Sequence, residues 1–509
     1  MLARAHTFTI EGLRTRHVTV EVDIRPGLPA FAIVGLADAA VREARERVQA
    51  AIRNSGYEFP ARRITANLAP GDVPKAGPGL DLALACAVLA ASRQLSCERL
   101  ESHALFGELA LDGAVRPSRG TLAVAQATRG AGLEKLLLAS AGAREAGLVE
   151  DVEVAAVASL SSAVRVLSGG RADPLPQAER RTGGGSPTPP GPDLDEVRGQ
   201  HHAVRALVIA AAGGHNGLLI GPPGTGKTML AQRISSILPP LSRHEAIEVA
   251  RIHSLLGGTV RGLELSRPFR APHHSITTAG LVGGARRAAI GEVVLAHNGV
   301  LFLDELSEFA RATLEALRQP LEDGRVAIAR ARHSTVYPAR FMLLAATNPC
   351  PCGYAGAVDR CGCGEADMTR HRRRLSGPLI DRIDLLATLG RDGARDLAAP
   401  PLTSSARARE QVMLARERQA ARLKADDGVS LNAQMGVRQL QRHVRLDGRG
   451  SEMMRAAVEG GLLSTRGEHR VLRVARTIAD LDGSERVRAR DLGAALALRP
   501  DAAAAGRGA

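Results

Sequence analysis

The sequence predicts an α/β fold in three parts: an N-terminal α/β domain over residues 1–170, a central α/β domain over 193–398 and a C-terminal helical lid over 399–498. Three observations lead there. Short strand-like runs alternate with helical patterns through the first 170 residues. An apolar strand end, Leu218-Leu219-Ile220, then runs into Gly221-Pro222-Pro223-Gly224-Thr225-Gly226-Lys227-Thr228 and a helical stretch over 229–238, the strand, loop and helix context that the phosphate-cradling pattern G-x-x-x-x-G-K-[ST] requires. Beyond residue 404 the pattern is helical and rich in Arg as far as residue 498.

Composition narrows the class. A chain of 509 residues has room for about three domains. Apolar residues make up 45%, yet aromatics only 2% and Trp is absent, so the cores must be built from Ala, Leu, Val and Ile, and base stacking is limited as a binding mode. The net charge of +14, from 67 basic and 53 acidic residues, comes almost entirely from Arg and favours a polyanionic partner such as nucleic acid, although an Arg-rich coding bias would give the same number. Residues 1–9 are interrupted by Arg4 and His6, and no run reaches membrane-spanning length, so a cytoplasmic location away from membranes is expected. Six Cys do not make a disulfide framework in a chain this long.

In the first domain, strands are expected over 17–24, 31–34 and 64–68, and helices over 37–54 and 81–92. Between them, Pro74-Lys75-Ala76-Gly77-Pro78-Gly79 resembles the Pro-Lys-Asp-Gly-Pro-Ser stretch that carries the nucleophile of Lon-type proteases. Gly79 stands where that family has its Ser, and no Lys occurs between Lys75 and Lys135 to serve as base. The expectation is a Lon-like fold that is catalytically inactive. Residues 171–192 are Gly-, Pro- and Ser-rich and read as a flexible linker, and 499–509 as a disordered tail.

The central domain carries the chemistry. In the loop Gly221 to Thr228, glycines let backbone N–H groups turn onto phosphates, Lys227 neutralises the terminal phosphates and the Thr228 hydroxyl ligates magnesium. Val300-Leu301-Phe302-Leu303 is an apolar strand that ends in Asp304 and Glu305, the first placed to hold magnesium and the second to polarise an attacking water; a solvated acidic turn is the plainer alternative. A second apolar strand over 341–346 leads to Asn348, which can bond both the water and the terminal phosphate, or be a turn residue. In Ser376-Gly377-Pro378-Leu379-Ile380-Asp381-Arg382-Ile383-Asp384, Arg382 is the candidate arginine finger for a neighbouring subunit, or else the partner of Asp381 or Asp384 in an ion pair. Arg466, near the start of a helix that continues to Leu481, is the candidate lid arginine, with Arg470 and Arg473 as rivals.

This order of motifs resembles the magnesium-chelatase-like branch of the AAA+ superfamily. More narrowly, Gly213-Gly214-His215-Asn216, Ala271-Pro272-His273-His274, the stretch from Gly291-Glu292 to Leu306, and Ala475-Arg476-Thr477-Ile478-Ala479-Asp480-Leu481 resemble the ComM/YifB family over nearly the whole chain. The resemblance implies a ring hexamer that uses ATP and magnesium, with helicase and branch-migration activity on single-stranded or branched DNA in recombination and natural transformation. The alternative is a chelatase-type subunit that remodels a protein partner.

Two further sites are open. Residues 324–338 read as a hairpin with Arg330, Arg332 and His333 near its tip; in related motors a hairpin here projects into the pore, where such groups could follow phosphates, and Arg286 and Arg287 are a weaker candidate. Cys350, Cys352, Cys361 and Cys363 form two C-x-C pairs that could close a zinc site or be reduced thiols in an exposed loop. His273 and His274 could be ligands, but a fold-supporting role is the expectation, and Cys86 and Cys97 are expected to be core or neutral.

Overall fold

The computed structural model describes residues 2–174, 192–256, 262–284, 289–329, 334–355, 360–374, 377–390, 400–426 and 428–499. Most of the expected linker, the tail, Arg286, Arg287, Arg330, Arg332 and His333 lie outside the described residues. The chain is a mixed α/β structure in two compact units. Among the described residues, no helix is long and apolar enough to cross a membrane.

The first unit is built on a seven-stranded sheet in the order Ala30–Val34, Arg63–Ala69, Arg14–Arg25, Leu2–Glu11, His103–Phe106, Lys135–Ala139, Glu153–Val157. The strands Leu2–Glu11 and Arg14–Arg25 pair antiparallel, and the last four strands in the order run parallel. Val18, Val20, Val22 and Ile24 alternate inward, as a half-buried strand requires. Ala39–Asn54 is capped by the Asp38 carboxylate, which accepts the N–H of Val41. The helix Asp81–Ala91 has every residue buried, which its Ala- and Leu-rich sequence without a polar face permits. Its one charge, Asp81, is held by Arg47 at 2.7 Å and accepts the N–H of Leu109 at 3.2 Å, while burial pushes its carboxyl above the usual range.

The helix Arg243–Leu255, which follows the phosphate-loop motif in sequence, belongs to this first unit rather than to the second. Ala250 and Ile247 pack in the core cluster of Phe8, Leu122 and Ala125, and Arg251 Nη2 donates to the Leu13 carbonyl at 2.6 Å. The position where an acyl-transfer nucleophile would stand is closed: a Cβ at Gly79 would lie 2.4 Å from Cε2 and 2.8 Å from Cζ of the buried Phe106 ring.

The second unit is built on a five-stranded sheet in the order Phe269–Arg270, Val300–Leu303, Met342–Thr347, Gly217–Ile220, Leu385–Thr388, with every neighbouring pair parallel. Met342–Thr347 is buried at every position, the pattern of a central strand covered on both faces. The helix His201–Gly213 covers the sheet together with Ser405–Leu423 and Thr465–Leu481. The last carbonyls of His201–Gly213 are satisfied from the C-terminal segment, since Arg416 donates to Ala211 O at 2.7 Å and Gln419 to Ala212 O at 3.1 Å. A buried polar network continues from there: His215 and Asn432 meet the Thr477 hydroxyl at 2.8 and 3.0 Å, and Asp480 takes bonds from Asn432, Arg422 and Arg476. The single helix expected over 229–238 is two shorter ones, Lys227–Gln232 and Ile234–Ile237.

Candidate nucleotide-binding and hydrolysis site

Parallel strands bring their C-terminal ends to one edge of a sheet, and register decides which residues leave that edge together. Ile220 pairs with Thr347, and Leu303 with Ala345. The loop after Ile220, the carboxylates after Leu303 and the Asn after Thr347 are therefore neighbours, although well over a hundred residues separate the first from the last.

Their side chains meet in two hydrogen-bonded pairs that start from the adjacent residues Lys227 and Thr228. Lys227 Nζ donates to the carbonyls of Gly221 at 2.6 Å and Pro222 at 2.9 Å and to Asn348 Oδ1 at 3.0 Å. Burial pushes its ammonium below the usual lysine range, against the opposing pull of Asp304 and Glu305. The Thr228 hydroxyl donates to Asp304 Oδ2 at 2.5 Å, which puts two hard oxygen ligands side by side at the start of a helix. Gly224 and Gly226 take φ of 78° and 82°, which lets the loop curl its N–H groups inward without Cβ strain. The donor set fits a magnesium-bound nucleoside triphosphate: two hard oxygens, one ammonium and a ring of backbone donors.

Glu305 is one of the few non-glycine residues in the left-handed region, at φ 50°. Such strain is retained where it aims a group. Its carboxylate meets His274 Nδ1 at 3.2 Å and is largely exposed, while its N–H is fixed by Asp304 Oδ1 at 2.9 Å. His274, expected mainly to support the fold, is thus a neighbour of Glu305; the adjacent His273, whose ring lies 4.0 Å from that of His274, bonds Ser275.

The arginines fall in a second group. Arg382 pairs with neither Asp381 nor Asp384; its carboxylate partner is Glu322, from the helix Arg318–Asp323. Asp381 faces Arg470 at 3.7 Å, and Asp384 faces His215 at 3.5 Å and accepts the Asn216 N–H at 3.2 Å. Burial, with Arg318 and Arg466 as neighbouring charges, lowers the pKa of the Arg382 guanidinium. Arg466 is exposed on the first turn of Thr465–Leu481, a helix capped by Ser464, which accepts the Gly467 N–H at 3.2 Å. Its rivals are engaged within the chain: Arg470 donates to Ile383 O at 3.1 Å and Arg473 to Ala433 O at 3.1 Å.

Asn216 is a residue the sequence reading missed in this role. Its side chain bonds the Leu343 N–H at 2.8 Å and the Arg382 carbonyl at 2.9 Å, so it ties a sheet strand to the turn that presents Arg382. In the sequence it stood only as the last residue of Gly213-Gly214-His215-Asn216, a likeness to the family that gave it no role. Both arms of the expected hairpin are strands, Arg325–Ala329 and Ser334–Pro338, and the Ala339 N–H bonds Gly324 O at 2.8 Å near their base. The thiols of Cys350, Cys352, Cys361 and Cys363 lie within 4.8 Å of one another, while Cys86 is a core residue.

Comparison with known proteins gives the same assignment along the whole length. The family model for magnesium chelatase, subunit ChlI, matches residues 193–396, that for subunit ChlI of Mg-chelatase matches 20–142, and that for the ChlI C-terminal region matches 402–499. The chain is 44% identical over 502 residues to protein YifB of Salmonella typhimurium, covering 98% of this chain and 97% of that one. It is 41% identical over 505 residues to competence protein ComM of Haemophilus influenzae, with 98% and 97% covered. Over 46 residues, 9% of this chain and 7% of the other, it is 50% identical to an archaeal Lon protease of Archaeoglobus fulgidus. With relatives this similar over their full length and a parallel sheet that assembles the phosphate loop with Asp304, Glu305 and Asn348, the chain belongs to the ComM/YifB family of magnesium-chelatase-like AAA+ proteins.

Proposed function

We propose that the chain hydrolyses ATP as a subunit of a ring hexamer and uses the cycle to move along single-stranded or branched DNA, as a helicase or branch-migration motor in recombination during natural transformation. The observation that carries the hydrolytic part is the pairing, at one sheet edge, of Lys227 with Asn348 at 3.0 Å and of Thr228 with Asp304 at 2.5 Å. Thr228 and Asp304 would hold magnesium, whose charge, when bound, offsets that of the phosphates. Lys227 trades its carbonyl partners for phosphate oxygens. Glu305 accepts a proton from a water whose oxygen bonds the terminal phosphorus as the bridging P–O bond breaks and ADP leaves, and Asn348 orients that water. Arg382 leaves Glu322 to reach the site of the adjoining subunit, and Arg466 approaches from the lid.

DNA enters on three supports: the +14 charge, the competence name carried by a relative 41% identical, and the basic residues Arg330, Arg332 and His333 in the sequence between the strands Arg325–Ala329 and Ser334–Pro338. Such contacts would track phosphates without reading bases, so binding should weaken steeply with salt. The first unit would then be an inactive Lon-like domain.

A second reading has its own observation. All three matching family models are described by the ChlI subunit of magnesium chelatase, the front half included, so a role in remodelling a protein partner stays in competition. The test is ATP turnover with single strands, three-way and four-way junctions or no DNA, at two salt concentrations, for the native chain, Lys227→Ala and Glu305→Gln. Stimulation by DNA that both substitutions abolish supports the motor. Turnover indifferent to every DNA structure removes DNA as the substrate, and a hexamer that assembles with ATP yet releases no phosphate removes the motor.

A further inference from the structure

We infer that Cys350, Cys352, Cys361 and Cys363 bind one zinc ion as four thiolates, and that this site fixes Asn348 beside Lys227. The metal half stands on sulfur geometry. Cys350 Sγ lies 3.4 Å from Cys352 Sγ and 3.9 Å from Cys361 Sγ, with 3.7 Å between the latter two, and Cys363 completes a group within 4.8 Å. Four thiolates about 2.3 Å from one zinc in tetrahedral array stand about 3.8 Å apart. None of the pairs is bonded; all four are free thiols.

Cys350 Sγ also receives a backbone N–H, from Ala355 at 3.2 Å. Donors turned onto sulfur stabilise thiolate charge and orient it, the part that outer groups play around structural metal sites. The loop has little else to hold it, being Pro, Cys, Gly, Tyr and Ala over 349–355. A soft, closed set of four sulfurs selects zinc over magnesium and leaves no open position for catalysis.

The positioning half stands on what the cysteine loop touches, and it rests on the reading of Asn348 as the group that orients the attacking water. Cys350 is buried two residues after Asn348. Gly353, at φ 85°, approaches the phosphate loop so closely that a Cβ there would lie 2.5 Å from Pro223 Cδ and 3.8 Å from Asn348 Cγ. On the far side of the second cysteine pair the helix Glu365–Arg374 begins, and its His371 Nε2 bonds the Asn348 carbonyl at 3.0 Å. Asn348 is thereby held from both ends of the segment that the metal would close, while its Oδ1 takes the bond from Lys227 at 3.0 Å.

The full-length chain, purified without chelator, should carry one zinc ion by elemental analysis, and its cobalt-substituted form should show thiolate charge-transfer and tetrahedral d–d absorption. Cys361→Ser with Cys363→Ser should lose both. Where that variant fails to keep native circular dichroism, stripping the wild-type chain with a strong chelator replaces it. Loss of metal should cut kcat for ATP at least about tenfold, as loss of a site's supporting shell does, while affinity for a fluorescent ATP analogue stays within about threefold. Less than about a tenth of an ion per chain, or an iron–sulfur spectrum, overturns the metal site. Stoichiometric zinc whose removal leaves kcat unchanged overturns the positioning of Asn348. A zinc-loaded wild type that turns over no ATP overturns the hydrolytic reading and that positioning with it, while the metal content still decides the zinc site by itself.

Discussion

Replacing Arg382 by Ala should abolish hydrolysis while leaving the fold intact. Arg382 is mostly buried, with 12% of its side chain exposed, and its partner Glu322 is 52% exposed, so the ion pair is screened and worth about 0–1 kcal/mol. Its backbone bonds, from the Asn216 side chain to the Arg382 carbonyl and from the Arg382 N–H to Leu379 O, do not depend on the guanidinium. Losing the pair should therefore lower the melting temperature by no more than about 2 °C, since the shift per kcal/mol shrinks as the unfolding entropy grows with chain length. Loss of an arginine finger, by contrast, costs about 10³–10⁵ in kcat, or roughly 4–7 kcal/mol of transition-state stabilisation. Glu322→Gln separates the two roles: it removes that ion pair and keeps the guanidinium, so kcat should hold within about threefold. The assay is steady-state phosphate release with KM and melting temperature measured alongside. An equimolar mixture of Lys227→Ala and Arg382→Ala chains should recover activity at about one quarter of the sites, those where an intact lysine faces an intact arginine across a random interface. Arg382→Ala turning over at more than about a third of the wild-type rate, or a mixture no more active than its parts, would refute the reasoning.

Three other outcomes follow from the geometry. Asn348→Ala removes one of three acceptors of Lys227 and should lower kcat by about 10²-fold with ATP affinity within about threefold, read by the same turnover assay beside analogue binding; equal losses in both would place Asn348 in ground-state binding. Gly79→Ala should destabilise the first unit by about 1–3 kcal/mol because its Cβ meets the Phe106 ring, and adding Phe106→Leu should recover part of that in thermal melts; a single variant as stable as wild type would show that the ring moves aside. Burial pushes the Asp384 carboxyl up, but the neighbouring His215 ring at 3.5 Å, with Arg473 and the Asn216 N–H, outweighs it and holds the pKa below the usual range. A depressed folded-state pKa contributes stability in full above the ordinary carboxylate pKa of about 3.9 and loses it as pH falls further. Wild type should thus lose more of its denaturation midpoint than Asp384→Asn between about pH 5 and pH 3; parallel losses would sink that assignment.

Much of the site was legible because its parts are local patterns. An apolar strand followed by Gly-rich loop, Lys and Thr announces a phosphate cradle from consecutive residues, and the strand ending in Asp304-Glu305 does the same for carboxylates. What stayed hidden depends on residues far apart in sequence. Glu322 as the partner of Arg382 could not be told from Asp381 or Asp384, because ion pairs form by proximity and any nearby carboxylate reads alike. His274 looked like fold support until the sheet set it against Glu305, and Asn216 carried no motif for its bonds to Leu343 and Arg382. Nor could apolar periodicity say that Arg243–Leu255 would bury Ala250 against Phe8 rather than join the sheet next to it in sequence.

By itself the sequence determined most element types, the strand and Gly-rich loop up to Thr228, the strand that ends in Asp304, the family resemblance and that Gly stands at position 79, since each is written in adjacent residues or in periods of two and 3.6. The tertiary structure alone decided which side chains meet. Parallel register placed Asn348 within 3.0 Å of Lys227, packing gave Arg382 to Glu322, and the turn after Thr347 drew four sulfurs to the spacing of a metal site. The physical reason is that hydrogen bonds, ion pairs and ligand spheres act over a few ångströms of space, and only the folded sheet converts a hundred residues of sequence into that distance.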